Sequence, residues 1–476
     1  MSTVLPWYLL VYDVLNTKMN HFHLSKRYNI LKPEHEPSRV LIHGIRFIIT
    51  ADVKNKITIL ENQSLLIENG VITVVFPKQE LREVVDVSTL DIIYDAEQKG
   101  GVVLTPGFIN LHSHPPMYLL RSTLTLAESN LTKALAGMAA IERKMDDQDY
   151  YLGALGDFTE EQKSGITTTV SHYAVFDPIE QAAKESHQHV INCVSAASNT
   201  HPENSPEFVE GFLKKKSSHT TPGIALHYVW KASPETLKKI SKLMKKYNAY
   251  LTLHVAESTE TIAACEEKYG MRPIAVLEKY DLLGPRTIMT HCVHLTNEEI
   301  NLVKKTKTNV VHLPTSNLLH RSGQFNYKQF HDADAAHLVG LGTDSVVSKN
   351  RLDLLSEALA AKTLHQSTHI LSYENLFRMI TSQGADMLGI KNLGKILPSY
   401  TANLAFWKLK DRGLMPYDED HPETLISNLI THGSRSVRDL MIEGKFVISN
   451  RYHNLVDESK LLENLQHAHM SLRKRS

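Results

Sequence analysis

Short runs of β-branched and other apolar residues recur along the middle of the chain, and amphipathic stretches separate them. The runs are VVLTPGFINLHSH (102–114), GITTTVSHYA (165–174), HVINCVSAAS (189–198), GIALHYVW (223–230), AYLTLHVAES (249–258), RTIMTHCVHL (286–295), TNVVHLPTS (308–316) and AHLVGLGTDS (336–345). One separating stretch, SPETLKKISKLMKKY, has Ser233 as N-cap, Pro234 at the first helical position and one apolar stripe. Alternating strands and helices predict parallel βαβ units, and eight of them predict an α/β fold with a closed (β/α)8 TIM-type barrel.

The hydrophobic pattern changes at both ends of the chain. Residues 39–104 alternate apolar and polar positions as strands do, and so do NLAFWKLK (403–410) and VRDLMIEGKFVISNR (437–451). We therefore expect a small discontinuous β-sandwich domain formed from both chain ends. The predicted parts are an N-terminal extension (1–38), the β-sandwich domain (39–104 plus 398–452), the barrel (105–397) and a C-terminal helix (453–476).

Composition is that of an ordinary globular chain, with 42% hydrophobic and 22% charged residues among 476. Because 52 basic residues balance 52 acidic ones, no global field attracts nucleic acid or an anionic membrane, and the expected partner is a small molecule. Cys193, Cys265 and Cys292 are odd in number and lack C-x-x-C spacing, which favours a reducing, cytoplasmic location. The apolar stretch VLPWYLLVYDVL is too short to span a membrane, so we expect the extension to pack on the domain or on a second subunit.

The chain contains 26 histidines, and H-x-H triplets are their most suggestive arrangement. About 1.4 such triplets are expected by chance, so a triplet alone is weak evidence for a metal site. The triplets present are His21/His23, His112/His114, His187/His189 and His467/His469. Only His112 and His114 fall at the C-terminal end of a predicted barrel strand, which is where barrels of this type carry their chemistry.

Other potential ligands lie at the same predicted rim. His254 and Glu257 close the fifth run, His291 closes the sixth, and Asp344 closes the eighth. A single rim histidine is more often a hydrogen-bonded structural residue. Imidazoles and carboxylates at the ends of several strands together predict a metal site.

The motifs around these residues extend the pattern over nearly the whole of 39–451. They are TPGFINLHSHPPMYLLRS, KSGITTTVSHY, LTLHVAES, THCVHLTNEEI, LPTSNLLHRSG, LGTDSVVSKNRLDLLSE and IEGKFVISNR. In these motifs the chain resembles the amidohydrolase superfamily. Within it, the resemblance is to the branch of amino-heteroaromatic deaminases and triazine hydrolases related to methylthioadenosine/S-adenosylhomocysteine deaminase.

The resemblance implies one divalent metal ion, zinc or alternatively iron, with His112, His114, His254 and Asp344 as ligands. Three neutral imidazoles and a carboxylate suit such an ion and leave one position for water. The run GIALHYVW lacks the lysine whose carbamate bridges two metals in binuclear relatives. Lys231 lies just beyond it and keeps a two-metal site open as an alternative.

The resemblance also implies catalytic roles. Glu257, in the LHVAE pattern, would carry protons between the attacking water, a ring nitrogen and the leaving amine, and Asp344 could accept the first proton. His291 would orient or polarise the attacking group. The structural alternatives are a helix-start carboxylate for Glu257 and a buried hydrogen bond for His291.

Substrate contacts follow the family pattern less closely. His227 matches a strand-four histidine that touches the heterocycle, but HYVW replaces the pattern H-x-P-Y. Arg121 matches the arginine of LLRG, with Ser122 in place of glycine. Either residue could instead satisfy backbone carbonyls or a surface acid. In SHYAVFD, His172 and Tyr173 lie near the predicted mouth, where a packing role is equally open.

These residues predict an aminohydrolase that removes ammonia from an amino-substituted, purine- or adenosine-like heteroaromatic compound by means of a metal-activated water. One alternative is a triazine-type C–N or C–Cl hydrolase, or an amide hydrolase, on the same site. A second is a non-catalytic scaffold, which the completeness of the ligand set disfavours. The resemblance also implies a homo-oligomer, and we expect a dimer.

Overall fold

The computed structural model describes residues 38–122, 131–198, 200–215, 217–349 and 351–475. Within these ranges the strands form an eight-stranded parallel sheet and a nine-stranded mixed sheet. The predicted fold class, a barrel with a second β structure built from both chain ends, is confirmed. All but the last residue of the predicted N-terminal extension lies outside the described residues.

The parallel sheet is the barrel, and each of its strands pairs with the next along the chain. The strands are β6 (Phe108–Ser113), β7 (Ile166–Tyr173), β8 (His189–Ser195), β9 (Thr220–Tyr228), β10 (Leu251–Val255), β11 (Thr287–His291), β12 (Asn309–His312) and β13 (Val339–Leu341). Thr343 N and Asp344 N donate hydrogen bonds of 3.1 and 3.0 Å to the carbonyl of His112. The chain after β13 therefore reaches β6 and brings the last strand end beside the first.

Helices connect and cover the barrel strands. They are Leu131–Glu142, Asp147–Lys163, Asp177–Ser186, Pro206–Leu213, Pro234–Tyr247, Thr259–Tyr269, Pro273–Lys279, Asn297–Thr306, Pro314–Leu319, Tyr327–Asp332, Val346–Lys349, Leu354–His365, Tyr373–Met379 and Ser382–Leu388. Helix Pro234–Tyr247 begins as predicted, because Ser233 Oγ accepts from Thr236 N at 3.1 Å. It buries Leu237 and Ile240 in the main apolar cluster. Across the described ranges, no helix combines the length and the apolar character needed to cross a membrane.

The mixed sheet joins the two ends of the chain. Its strands are β1 (Arg39–Ala51), β2 (Ile57–Glu68), β3 (Val71–Pro77), β4 (Ile92–Asp95), β5 (Val102–Pro106), β14 (Leu404–Lys408), β15 (Val437–Ile442), β16 (Lys445–Ser449) and β17 (Tyr452–His453). Strand β5 is central, because it pairs with β1 in parallel and with β14 in antiparallel orientation. Trp407 of β14 is fully buried, donates from Nε1 to Thr105 Oγ1 at 2.9 Å, and lies 5.5 Å from the Phe108 ring of the barrel.

The remaining helices pack outside the barrel or against the mixed sheet. They are Leu81–Val84, Thr424–His432 and Glu458–Arg475. The last of these buries Leu461, Leu465 and Leu472, and His469 Nδ1 donates to the carbonyl of Leu119 at 2.8 Å.

Two predicted strands differ from the structure. The run VVLTPGFINLHSH is two strands in two sheets, because Pro106 lacks a backbone donor and Gly107 turns the chain from β5 into β6. A Cβ at Gly107 would lie 2.3 Å from the Thr167 side chain, so only glycine fits there. The run AHLVGLGTDS is extended only over β13, because the backbone has left the strand conformation by Asp344, whose φ is 59°.

Candidate active site

Three histidines meet at the C-terminal end of the barrel. One ring nitrogen from each of His112, His114 and His254 lies within 4.8 Å of the other two. The Nε2 atoms of His112 and His114 are 3.1 Å apart. His114 Nδ1 donates to the carbonyl of His172 at 2.7 Å, and His254 Nδ1 donates to that of His227 at 2.8 Å. These backbone contacts leave the Nε2 lone pairs of His114 and His254 available, as in histidines that bind metal.

Asp344 completes this cluster from the other end of the barrel. Its Oδ1 lies 3.4 Å from His114 Nε2 and 4.0 Å from His112 Nε2. Ser345 N donates to Oδ1 at 2.6 Å, and Ser316 Oγ donates to Oδ2. The carboxylate is therefore held in one orientation beside the imidazoles.

Burial and mutual repulsion set the charge of the cluster. Burial lowers the pKa of the His112 and His254 imidazoles well below the usual value, and the neighbouring histidines lower it further. Burial by itself would raise the pKa of the Asp344 carboxyl, but the His114 and His291 imidazoles, the hydrogen bond from Ser316 and the His320 imidazole together bring this pKa below its usual value. At neutral pH the cluster thus offers neutral imidazoles and an ionised carboxylate, which suits a divalent metal of intermediate softness.

The spacing of the cluster also fits such an ion. Two nitrogens bound tetrahedrally at 2.0–2.1 Å are separated by about 3.3 Å, close to the 3.1 Å between the Nε2 atoms of His112 and His114. The residues present therefore fit one divalent metal ion.

Glu257 and His291 lie next to this cluster. Glu257 is only 3% exposed, and its Oε2 accepts a hydrogen bond of 2.6 Å from the Tyr228 hydroxyl. His291 Nε2 lies 3.7 Å from the same oxygen. His291 Nδ1 and Asn317 Oδ1 are 2.8 Å apart, so the Nδ1 hydrogen is donated to Asn317 and Nε2 is left as an acceptor.

The backbone is unusual where the barrel strands end at this site. Ala256, His291, Cys292 and Asp344 have φ of 46°, 68°, 52° and 59°, in the left-handed region that residues other than glycine rarely adopt. Such conformations cost roughly 1–3 kcal/mol each, persist only where the surrounding structure imposes them, and cluster at active sites. Four such residues thus lie where β10, β11 and β13 end at this rim, and others occur elsewhere in the described chain, for example at Asn248 and Lys307.

A cavity of 200 Å³ opens onto these groups. His227, Lys231 and Glu142 line it together with His114, His254 and Asp344 of the cluster. Lys231 Nζ lies 2.9 Å from His227 Nδ1. His172 and Tyr173 line it as well, and the Tyr173 hydroxyl donates to Glu142 Oε1 at 2.6 Å. His227, the candidate substrate contact, therefore lies at the cavity.

Arg121 does not lie at this cavity in the described part of the chain. Its guanidinium forms an ion pair with Glu160 and stacks on the Tyr118 ring, with 4.3 Å between the guanidinium carbon and the ring centroid. Glu160 also accepts from Leu352 N at 3.0 Å. Arg121 thus forms an ion pair with a carboxylate, which is the alternative to substrate binding that the sequence left open.

The other H-x-H triplets do not join the site. His189 begins β8, at the rim opposite the cluster, and His469 lies on the C-terminal helix. His21 and His23 fall outside the described residues.

Sequence reasoning missed three residues that contact the site. Ser316 and Asn317 lie within the motif LPTSNLLHRSG, which could have drawn attention to them. Tyr228 has no comparable sequence indication, because a tyrosine in an apolar run such as HYVW is typical of a core strand.

The family model described as the amidohydrolase family matches residues 103–447, from β5 through most of β16. The chain belongs to the amidohydrolase family. Members of this family are metal-dependent, and the present amidohydrolase is an enzyme of the class that hydrolyses carbon–nitrogen bonds. The scaffold alternative predicted missing ligands, whereas the structure brings His112, His114, His254 and Asp344 together.

Named relatives agree with this assignment. The amidohydrolase is 30% identical over 440 residues to the 5-methylthioadenosine/S-adenosylhomocysteine deaminase of Syntrophomonas wolfei, covering 89% of this chain and 97% of that one. An adenosine deaminase structure from Xanthomonas campestris with bound zinc has a TM-score of 0.82 at 24% identity, covering 92% and 99% of the two chains. A zinc complex of atrazine chlorohydrolase from Arthrobacter aurescens TC1 has a TM-score of 0.79 at 20% identity, covering 90% and 100%.

Proposed function

We propose that this amidohydrolase hydrolytically removes the exocyclic amine of a purine- or adenosine-like heteroaromatic compound and releases ammonia. The observation that carries the proposal is that Glu257 lines one cavity with His114, His254 and Asp344, behind which His112 completes the buried cluster. This arrangement combines a site for a metal with a carboxylate that can move protons. The relationship to a methylthioadenosine/S-adenosylhomocysteine deaminase supports the substrate class.

We assign His112, His114, His254 and Asp344 as ligands of one divalent ion, with zinc as the first choice and iron as the alternative. Zinc in the two structural neighbours supports this choice. When bound, such an ion lowers the pKa of a water molecule toward about 7 and so supplies the nucleophile. Lys231 is engaged by His227 at 2.9 Å, which favours a single ion over the two-metal alternative.

Three side chains would handle water and protons. His291 Nε2 is an acceptor that can orient the attacking water. Asp344 and Glu257 are the carboxylates that can take its proton. Glu257 then protonates the ring nitrogen next to the attacked carbon and afterwards the leaving amine. The balance is one water consumed, one carbon–nitrogen bond broken, a ring carbonyl formed and one ammonia released.

His227 is the proposed contact to the heterocycle. Burial lowers the pKa of its imidazole well below the usual value, and the Lys231 ammonium lowers it further, so the ring is neutral. Because the ammonium donates to Nδ1, the ring hydrogen lies on Nε2 and His227 can act only as a donor. We propose that it donates to a ring nitrogen of the substrate. Arg121 receives no such role, because Glu160 occupies its guanidinium.

Location and assembly are part of the same proposal. Cys193, Cys265 and Cys292 are all buried free thiols, which supports a reducing cytoplasmic compartment. We propose a homodimer without nucleic-acid or membrane partners, to be tested by light scattering of the purified protein. The division into four parts at 38, 104, 397 and 452 stays a prediction.

A substrate panel tests the proposed function directly. Metal-replete protein is incubated with adenosine, methylthioadenosine, guanine, a pterin, cytosine and amino- and chloro-triazines, and ammonia and chloride are measured. We expect ammonia and an equal amount of the oxo product from a purine compound. Turnover of triazines alone would overturn the proposal in favour of the triazine-type alternative, and Glu257→Gln protein prepared in parallel controls for contaminating deaminases.

A further inference from the structure

We propose that Tyr228 is a positioning residue that holds one carboxylate oxygen of Glu257 and so determines which oxygen carries the proton. Oε2 is the held oxygen, and Oε1 is the one that exchanges protons with water, substrate and leaving amine. This inference rests on the proposed function, in which Glu257 moves the protons.

The contact between the two side chains is short and buried. Tyr228 is the last residue of β9 and is 3% exposed, and its hydroxyl donates to Glu257 Oε2 at 2.6 Å. That length is typical of a hydroxyl donating to an ionised carboxylate, which is stronger than a bond between neutral groups. His291 Nε2 also faces Oε2, at 3.7 Å. Among the described residues no hydrogen bond reaches Glu257 Oε1, although Glu257 lines the cavity.

The Tyr228 ring has little freedom to move. It stacks against the rings of His227 and Trp230, with centroids 4.4 and 5.4 Å away and interplanar angles of 19° and 10°. The carbonyl of His227 in turn holds the His254 imidazole at 2.8 Å. One short segment at the end of β9 thus positions both a proposed ligand and the proposed proton carrier.

The physical consequence concerns the terminal torsion of Glu257. This torsion is broad and roughly two-fold in a free glutamate, so either oxygen can face the reacting atoms. A strong donor at Oε2 fixes the torsion and makes Oε2 the poorer base, so protons arrive at Oε1. Because misplacement of a catalytic group by about 1 Å can cost about a hundredfold in rate, loss of the donor should lower turnover without weakening substrate binding.

The test compares two buried tyrosines, one that lines the cavity and one that does not, in the metal-loaded full-length protein. Tyr228→Phe keeps the stacked ring and removes the hydroxyl, and we expect kcat to fall about 10- to 100-fold, with KM and metal content unchanged within about threefold. Tyr250→Phe is the matched control, because the buried Tyr250 hydroxyl also donates over 2.6 Å, but to the carbonyl of Leu388 and not to a residue that lines the cavity. Its kcat should stay within about threefold.

A double variant tests whether Tyr228 acts through Glu257. In a Glu257→Gln background, Tyr228→Phe should cost no more than about threefold, because the amide has no proton-carrying role left to position. An equal loss in both backgrounds, or an unchanged kcat for Tyr228→Phe, would overturn the inference while leaving the proposed function intact. A fully active Glu257→Gln single variant would instead overturn the role of Glu257 itself and the inference with it.

A second substitution at the same position tests the inference if the Tyr228→Phe protein does not fold. Fluorotyrosine at position 228 keeps the ring and the hydroxyl but makes the hydroxyl more acidic. We expect kcat to change while KM stays constant, and an unchanged kcat would count against Tyr228.

Discussion

Replacing Glu257 by glutamine separates proton transfer from metal binding. The amide has the same shape as the carboxylate, and the Tyr228 hydroxyl can still donate to its oxygen, so we expect the fold and the metal cluster to persist. The amide cannot accept a proton at neutral pH. General acid–base catalysis by a positioned side chain contributes about 10²- to 10⁴-fold, so kcat should fall by that factor, or about 3 to 5.5 kcal/mol in activation free energy.

The assay follows steady-state ammonia release together with metal content by elemental analysis. Glu142→Gln is the control, because Glu142 is a second carboxylate that lines the same cavity but accepts from Tyr173 and has no assigned part in proton transfer; its kcat should stay within about tenfold. A Glu257→Gln protein with full metal content and a kcat within threefold of the unmodified enzyme would refute the assigned role.

Three further outcomes follow from other parts of the structure. His254→Ala removes a buried imidazole of the cluster, so the metal-to-protein ratio should fall below about a tenth of that in the unmodified enzyme. Adding zinc in excess to the purified variant should not restore this ratio. Trp407→Ala empties a fully buried site between the two sheets and should lower the free energy of unfolding by about 3–5 kcal/mol in urea titrations, whereas Trp230→Phe, at a partly exposed position, should cost far less. Burial lowers the pKa of His453 to about 4, so the unfolded chain takes up this proton near pH 6.5 and the folded chain only near 4. The contribution of neutral His453 to the free energy of unfolding is therefore complete above about pH 6.5. Below that pH it decreases by up to about 1.4 kcal/mol per pH unit. His453→Gln should reduce the slope of the free energy of unfolding against pH in this range.

The barrel could be predicted from the sequence because its elements repeat. Helix Pro234–Tyr247 is an example, since its cap, its first-turn proline and its apolar stripe all indicate the same element. The rim histidines and Asp344 were predictable for a related reason. In a parallel barrel all strands end on one side, so residues at the ends of distant runs must meet.

Other features depend on contacts that no local pattern encodes. The division of VVLTPGFINLHSH between two sheets depends on the Thr167 side chain, which leaves no room for a Cβ at Gly107. Tyr228 reaches Glu257 only because β9 and β10 are adjacent, and neither segment shows this alone. Arg121 pairs with Glu160, which lies 39 positions further along the chain, and so does not line the cavity.

A single residue, Gly107, separates β5 from β6. The partner of β5 on one side, β14, comes about 300 positions later, since Trp407 and Thr105 are 302 residues apart. During synthesis, β14 must therefore emerge from the ribosome before it can pair with β5, the strand that precedes His112 and His114. Closing a loop of this length is slow. The sheet that leads into His112 and His114 is therefore completed only near the end of synthesis, although the sequence of the site itself, from His112 to Asp344, precedes β14.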